Sequence, residues 1–227
     1  MTKNDIPILY DDKELLVVDK PIGLLSAPSQ EDSLSVATLL DKEREGAFPI
    51  TPVNRLDRNV GGVMVLVKTS FAAAYYSQAV SQHQTYIKEY LAVVEGSLAE
   101  KEGTLRDFLF KDSSKNKTFV VKKIRKGVKE AVLDYRVLQE AEEKGSVYSL
   151  VLVRLHTGRT HQIRVQFASR GHSLYGDGKY GGRGNDTLAL YSFRVTFKDR
   201  KGNERRFEAH PPSRFPWTLF FVLGEKF

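Results

Sequence analysis

The stretch Pro52-Val53-Asn54-Arg55-Leu56-Asp57-Arg58-Asn59-Val60-Gly61-Gly62 runs directly into Val63-Met64-Val65-Leu66-Val67. The unbroken apolar run reads as a strand buried on both faces. The polar segment ahead of it is then a loop at the edge of a sheet. Asp57 stands two residues after Arg55 and directly before Arg58. Nearby cations favour the ionised carboxylate, which suits a nucleophile or a base better than a general acid. An isolated loop aspartate is most simply a turn former or a surface ion pair; what lies downstream gives this one a further reading.

The chain has 227 residues, 41% of them hydrophobic. That is enough for one sizeable core, or two small lobes sharing one, and residues 1–227 read as a single domain. No apolar run approaches the roughly 20 residues a membrane helix needs. The opening Met1-Thr2-Lys3-Asn4-Asp5-Ile6-Pro7 has no apolar signal core, so a cytoplasmic, membrane-free protein is expected. The absence of cysteine excludes disulfides, thiolate metal sites and a cysteine nucleophile. Lys and Arg number 35 against 28 acids, a formal charge of +7. Such a balance suits a polyanion, nucleic acid above all.

Ile6–Tyr10 and Glu14–Asp19 read as a hairpin, ended by Lys20-Pro21-Ile22-Gly23. Ser33–Glu45 reads as a helix capped by Ser33 or Ser35 and closed by Gly46. Ser70–Gln82 reads as a second helix with Ser70 as its cap. Strands are expected over Thr85–Glu95, Ala131–Gln139 and Val147–Leu155, with a last hairpin, Leu188–Phe197 and Glu204–Ala209, around Lys201-Gly202-Asn203. Between the middle strands, Lys115, Lys117, Lys122, Lys123, Arg125, Lys126 and Lys129 form a run free of acids. It is either a solvated hairpin or a basic arm for phosphates. Adjacent strands outnumber helices, so the class is α+β with a largely antiparallel sheet.

A second polar constellation, Leu155-His156-Thr157-Gly158-Arg159-Thr160-His161-Gln162-Ile163-Arg164-Val165-Gln166, leaves the Val147–Leu155 strand. Gly158 permits a tight turn, and Arg159–Ser169 reads as a helix capped by Thr160. His161 and Arg164 then share a face, and the donors of Arg159, Gln162 and Arg164 gather at a helix start that favours an anion. Gly176-Asp177-Gly178-Lys179-Tyr180-Gly181 reads as a surface loop whose glycines serve its geometry. Lys88 and Tyr90 share one face of their strand.

Together, Asn54-Arg55-Leu56-Asp57, Lys88-Glu89-Tyr90, Gly158 to Arg164, and Gly176 to Gly181 resemble, in order, the motifs of the RluA family of pseudouridine synthases. The opening Asp12 to Gly23 also resembles that family's start. The resemblance implies an α+β pseudouridine synthase fold, a largely antiparallel mixed sheet flanked by helices with a central active-site cleft. It implies an isomerase acting on a uridine in structured RNA, a tRNA or rRNA stem-loop. That reaction involves no redox change, no phosphate-cradling glycine motif is present and no His/Asp/Glu cluster has metal spacing, so neither cofactor nor metal is expected, and a monomer is expected. By position, Asp57 matches the catalytic aspartate, Tyr90 the tyrosine against the target base, and Arg164 the arginine paired with the aspartate. Arg55 matches an arginine that enters the space of the flipped nucleotide; Arg58, Arg159, His161 and Gln162 are the further candidate RNA contacts. Two positions depart from the pattern. Asn54 replaces the family's histidine, and Val60-Gly61-Gly62 replaces Thr-Ser-Gly, so a hydroxyl pair that could hold the loop is missing, which bears on loop geometry and substrate choice while leaving the carboxylate in place. The rival from another class is a non-catalytic RNA-binding or ribosome-assembly factor on the same fold. A hydrolytic glycosidase fits less well, since those enzymes use two carboxylates and one convincing candidate is present.

Overall fold

The structure, a computed structural model, describes residues 2–42, 48–82, 85–184 and 187–220. In chain order its elements are β1 (Ile8–Asp11), β2 (Leu15–Lys20), α1 (Val36–Asp41), β3 (Thr51–Pro52), β4 (Gly61–Val67), α2 (Ser70–Gln82) and β5 (Tyr86–Glu95). Next come β6 (Glu102–Asp112), β7 (Lys117–Val121), β8 (Val128–Glu143), β9 (Ser146–Leu155), α3 (Gln162–Ala168), β10 (Leu190–Lys198) and β11 (Glu204–Glu208). The chain divides into two compact units. One is the chain up to Lys88 with Tyr191–His210; the other is Glu89–Leu190 with the segment from Pro211 on.

In the first unit the strand order is β1-β2-β4-β10. β1–β2, β2–β4, β3–β4 and β10–β11 are antiparallel. β10 lies parallel to β4, with Tyr191 opposite Gly61 and Ser192 opposite Gly62. A strand with neighbours on both sides needs apolar side chains on both faces, and all seven residues of β4 are buried. Below it, Tyr86 stacks on Phe197 at 5.4 Å, and Tyr76 of α2 meets Phe197 edge-on at 5.4 Å.

The second unit has the order β5-β9-β8-β6-β7, antiparallel through β9-β8-β6-β7. β8 and β9 turn on Lys144 and Gly145, both at positive φ (51° and 72°), the backbone that a two-residue hairpin requires. Leu109 of β6, Ala131 of β8 and Val165 of α3 form a small core cluster, with Val120 of β7 and Tyr180 packed against it.

Several local expectations shift. α1 runs from Val36 to Asp41 under Ser35, whose Oγ accepts the Thr38 N–H at 3.1 Å. Its expected close at Gly46 lies outside the described residues. α2 has the expected bounds, but Thr69 rather than Ser70 caps it, accepting the Ala72 N–H at 3.2 Å. β6 is a strand the sequence reading lacks. Only Leu105 and Leu109 of its eleven residues are buried, so its apolar alternation is broken. The basic run is β7, an exposed turn and the start of β8. α3 begins at Gln162, three residues later than expected. His161, not Thr160, precedes it, with a left-handed backbone at φ 53°.

Candidate active site

The Asp57 loop is held from both sides by residues 20–26 of its own unit. Ser26 is buried, and its Oγ takes both backbone groups of Leu56: it accepts the Leu56 N–H at 2.9 Å and donates to the Leu56 carbonyl at 2.8 Å. On the other flank the Arg58 carbonyl accepts from Gly23 N at 2.8 Å and from Lys20 Nζ at 3.2 Å. Val60 N closes a turn onto the Asp57 carbonyl at 3.0 Å. Each such buried bond contributes about 1 kcal/mol net, and leaving a partner unsatisfied costs more. Asp57 itself is half-buried, Arg55 is exposed, and exposed Arg58 pairs with Asp32 at 2.6 Å.

Lys20 is 1% exposed although charged. Its ammonium also donates to the carbonyls of Leu24 at 2.6 Å and Pro21 at 2.9 Å, so three acceptors meet its three donors. Burial lowers its pKa to about 8, opposed by the nearby charges of Asp57 and Asp19. Burial pushes the Asp19 carboxyl up, against the hydrogen bond that the Tyr191 hydroxyl donates at 2.6 Å.

The two departures from the family pattern find a physical account here. Asn54 is buried, with its Oδ1 accepting from Val65 N at 2.8 Å and from the Tyr86 hydroxyl at 3.1 Å. An amide thus fastens the start of the loop to β4. At Gly61 the neighbouring Tyr191 ring fills the side-chain space: a Cβ there would lie 2.8 Å from Tyr191 Cε2. Gly62 has φ +112°, and a Cβ would lie 2.2 Å from the Ser192 carbonyl oxygen. Only glycine fits that parallel pairing with β10.

In the second unit, Arg164 forks onto Asp177, Nε to Oδ2 and Nη2 to Oδ1, both at 2.7 Å. The Asp177 side chain is fully buried and that of Arg164 is 11% exposed. A planar guanidinium on a carboxylate fixes direction as well as charge. The Arg164 Cζ lies 5.2 Å from the centre of the Tyr180 ring. The Tyr180 hydroxyl meets His161 Nδ1 at 2.9 Å and accepts from Thr118 N at 2.8 Å. The helix start therefore does receive an anion, the chain's own Asp177.

The remaining candidates differ in surroundings. Gln162 is 3% exposed, and its amide is occupied internally: Oε1 accepts from Thr157 Oγ1 at 2.8 Å and Arg159 N at 3.0 Å, while Nε2 donates to the Val132 carbonyl at 3.1 Å. Arg159 is half-buried, with Nε on the Glu130 carbonyl at 2.9 Å. Tyr90 is 6% exposed in β5. Lys88, on the same face, is buried, which lowers its pKa. Asp57, Arg55 and Arg58 belong to the first unit; Tyr90 and the residues around α3 belong to the second.

Sequence reasoning passed over Ser26, Lys20, Asp177 and Tyr180 as working parts. A lysine ending an apolar strand before Pro-Ile-Gly was a usable signal, and so was a lone aspartate between glycines. Ser26, between Leu25 and Ala27, carried none.

Three comparisons bear on this arrangement. The chain is 33% identical over 183 residues to the uncharacterized RNA pseudouridine synthase YhcT of Bacillus subtilis (strain 168), covering 78% of this chain and 58% of that one. It is 31% identical over 228 residues to ribosomal large subunit pseudouridine synthase D of Borreliella burgdorferi, covering 92% and 66%. The chain thus spans less than two thirds of either relative. Human RNA pseudouridylate synthase domain containing 1 shares the fold at a TM-score of 0.77, with 22% identity, over 95% of this chain and 87% of that one. Residues 14–169, more than half of the chain, match the family described as RNA pseudouridylate synthase, and the chain belongs to that family.

Proposed function

We propose that this protein isomerises a uridine in structured RNA to pseudouridine. The observation that carries the reading is Asp57, on a loop whose flanking residues are tied to buried Ser26 and Lys20. The N1–C1′ bond breaks, the base turns, C5 bonds to C1′, and the C5 hydrogen leaves while N1 gains one. Atoms and electrons balance without an oxidant. Ionised Asp57 serves each of the possible first steps: attack on the sugar, attack on the base, or removal of a ribose hydrogen.

The uridine has to leave its stack first, which costs a few kcal/mol and least in loops. Stacking against an aromatic ring returns about 1–3 kcal/mol, the role assigned to Tyr90. Arg164 supplies a directed positive charge. For grip on the RNA backbone the reading uses the basic run: Lys115, Lys122, Lys123, Arg125, Lys126 and Lys129 are all exposed. Such charge binds phosphates with little regard to sequence, and Phe119 and Ile124 are exposed among them. Arg55, exposed on the Asp57 loop, is assigned to the space of the flipped nucleotide. The Borreliella relative's name points to ribosomal RNA, and a tRNA stem-loop is the other substrate to assay.

The test uses total RNA tritiated at C5 of uridine. The protein should release tritium to water, and Asp57→Ala should lower the rate by at least about 10³-fold, as loss of a covalent or proton-transfer group does, while RNA binding persists. A folded protein that binds RNA but releases nothing would sink the isomerase reading and favour the non-catalytic factor.

A further inference from the structure

We propose that Tyr180 is a positioning residue for Arg164, anchored on β7 of the basic run; the reaction it serves is the one proposed above. Asp177 fixes the guanidinium within its own plane through two 2.7 Å bonds. A ring lying against the guanidinium adds restraint out of that plane. Tyr180 supplies that ring at 5.2 Å.

The ring is itself placed with care. Tyr180 N donates to the Asp177 carbonyl at 3.0 Å, and its own carbonyl accepts from Ser173 Oγ at 2.8 Å. The ring rests on the cluster of Leu109, Ala131 and Val165. Its hydroxyl joins two elements that are otherwise distant in sequence: Thr118 of β7 at 2.8 Å and His161 at 2.9 Å. His161 holds the left-handed backbone at the start of α3, a conformation that costs of order 1 kcal/mol or more in a non-glycine residue and persists where surroundings enforce it.

The basic run reaches the same loop a second time. Lys117 Nζ lies 5.0 Å from the Tyr180 ring centre, and Lys179 Nζ donates to the Asn116 carbonyl at 2.9 Å. Packing alone would need only the ring. The hydroxyl adds a tether from the element bearing Arg164 to β7, whose continuation carries the exposed Lys122, Lys123 and Lys126. RNA phosphates lying on that run then steady the backbone against which Arg164 is aimed.

Tyr180→Phe keeps the ring and removes the tether. In single turnover at saturating enzyme, tritium release should slow by about five- to tenfold, the effect of one lost hydrogen bond. The Kd for the same RNA, by filter binding, should stay within about twofold and the melting temperature within a few degrees. Tyr180→Leu, which removes the ring too, should be slower again. A second readout needs no turnover: the Nε–H resonance of Arg164, identified by its loss in Arg164→Lys, should shift in Tyr180→Phe. An unchanged rate together with an unchanged resonance overturns the proposal. So does a slowing matched by equal loss of RNA affinity, which would make Tyr180 a binding residue. A wild-type chain that releases no tritium overturns the isomerase reading instead, and the resonance still decides whether Tyr180 positions Arg164.

Discussion

The Asp57 loop and the start of α3 are held in opposite ways. Around Asp57 the ties act on backbone: Leu56 on Ser26, Arg58 on Lys20 and Gly23. At α3 the tie runs through the candidate side chain itself, with Arg164 forked onto buried Asp177. Ties to neighbouring backbone survive an exchange of the side chain between them. A tie made by the side chain itself does not, and breaking a buried ion pair is costly.

The comparison breaks hardest at Asp177. Asp177→Ala removes the fork that Arg164 makes, and breaking a buried pair costs about 3–5 kcal/mol. Urea unfolding should show a loss of that size, and a loss below about 1 kcal/mol would mean that the pair is not what holds α3.

Lys20 sharpens the other side through pH. Its proton is held less tightly in the folded chain, near pH 8, than in the unfolded one, near 10.4. Charged Lys20 therefore opposes folding below pH 8, and this opposition is relieved as pH rises from 8 towards 10.5. The relief amounts to at most about 3 kcal/mol at 1.36 kcal/mol per unit. Unfolding free energy measured across that window should contain the rising component, and Lys20→Met should lack it. The same upward slope in both proteins would remove Lys20 as its source.

Ser26→Ala is the mildest break. It leaves both buried backbone groups of Leu56 short of a partner, at a cost of about 1–3 kcal/mol. If the tie aims Asp57, kcat should fall by about tenfold while KM stays within about twofold. A change confined to KM would show that Ser26 serves binding rather than aim.

Much of this was legible in the sequence, for reasons that can be named. β4 announced itself because both of its faces are buried, and the last hairpin because Lys201-Gly202-Asn203 punctuates it. The bounds of α2 followed from its composition. β6 did not announce itself: two buried leucines in eleven residues leave no alternation to read. The start of α3 was misplaced because a left-handed His161 obeys the tie to Tyr180 rather than a capping preference. Asp57, Tyr90 and Arg164 stand out as candidates through their motifs, but the groups around Asp57 and Arg164 do not. Ser26 meets Leu56 across 30 residues of sequence, and Arg164 meets Asp177 across 13. Asp177 looked like a turn residue because its glycines are visible in one dimension and its burial is not.

The parallel pairing of β4 with β10 has a consequence for how the chain is made. The two strands are separated by the whole of β5 to β9, so a growing polypeptide displays β4 long before its partner exists. Contacts so distant along the chain form slowly, and an apolar strand with an open edge invites wrong partners meanwhile. The second unit is nearly continuous in sequence and is almost fully synthesised by then. The order of birth is therefore the reverse of the order of numbering: the later-numbered unit can fold first, and the unit bearing Asp57 closes only once residues 191–208 emerge.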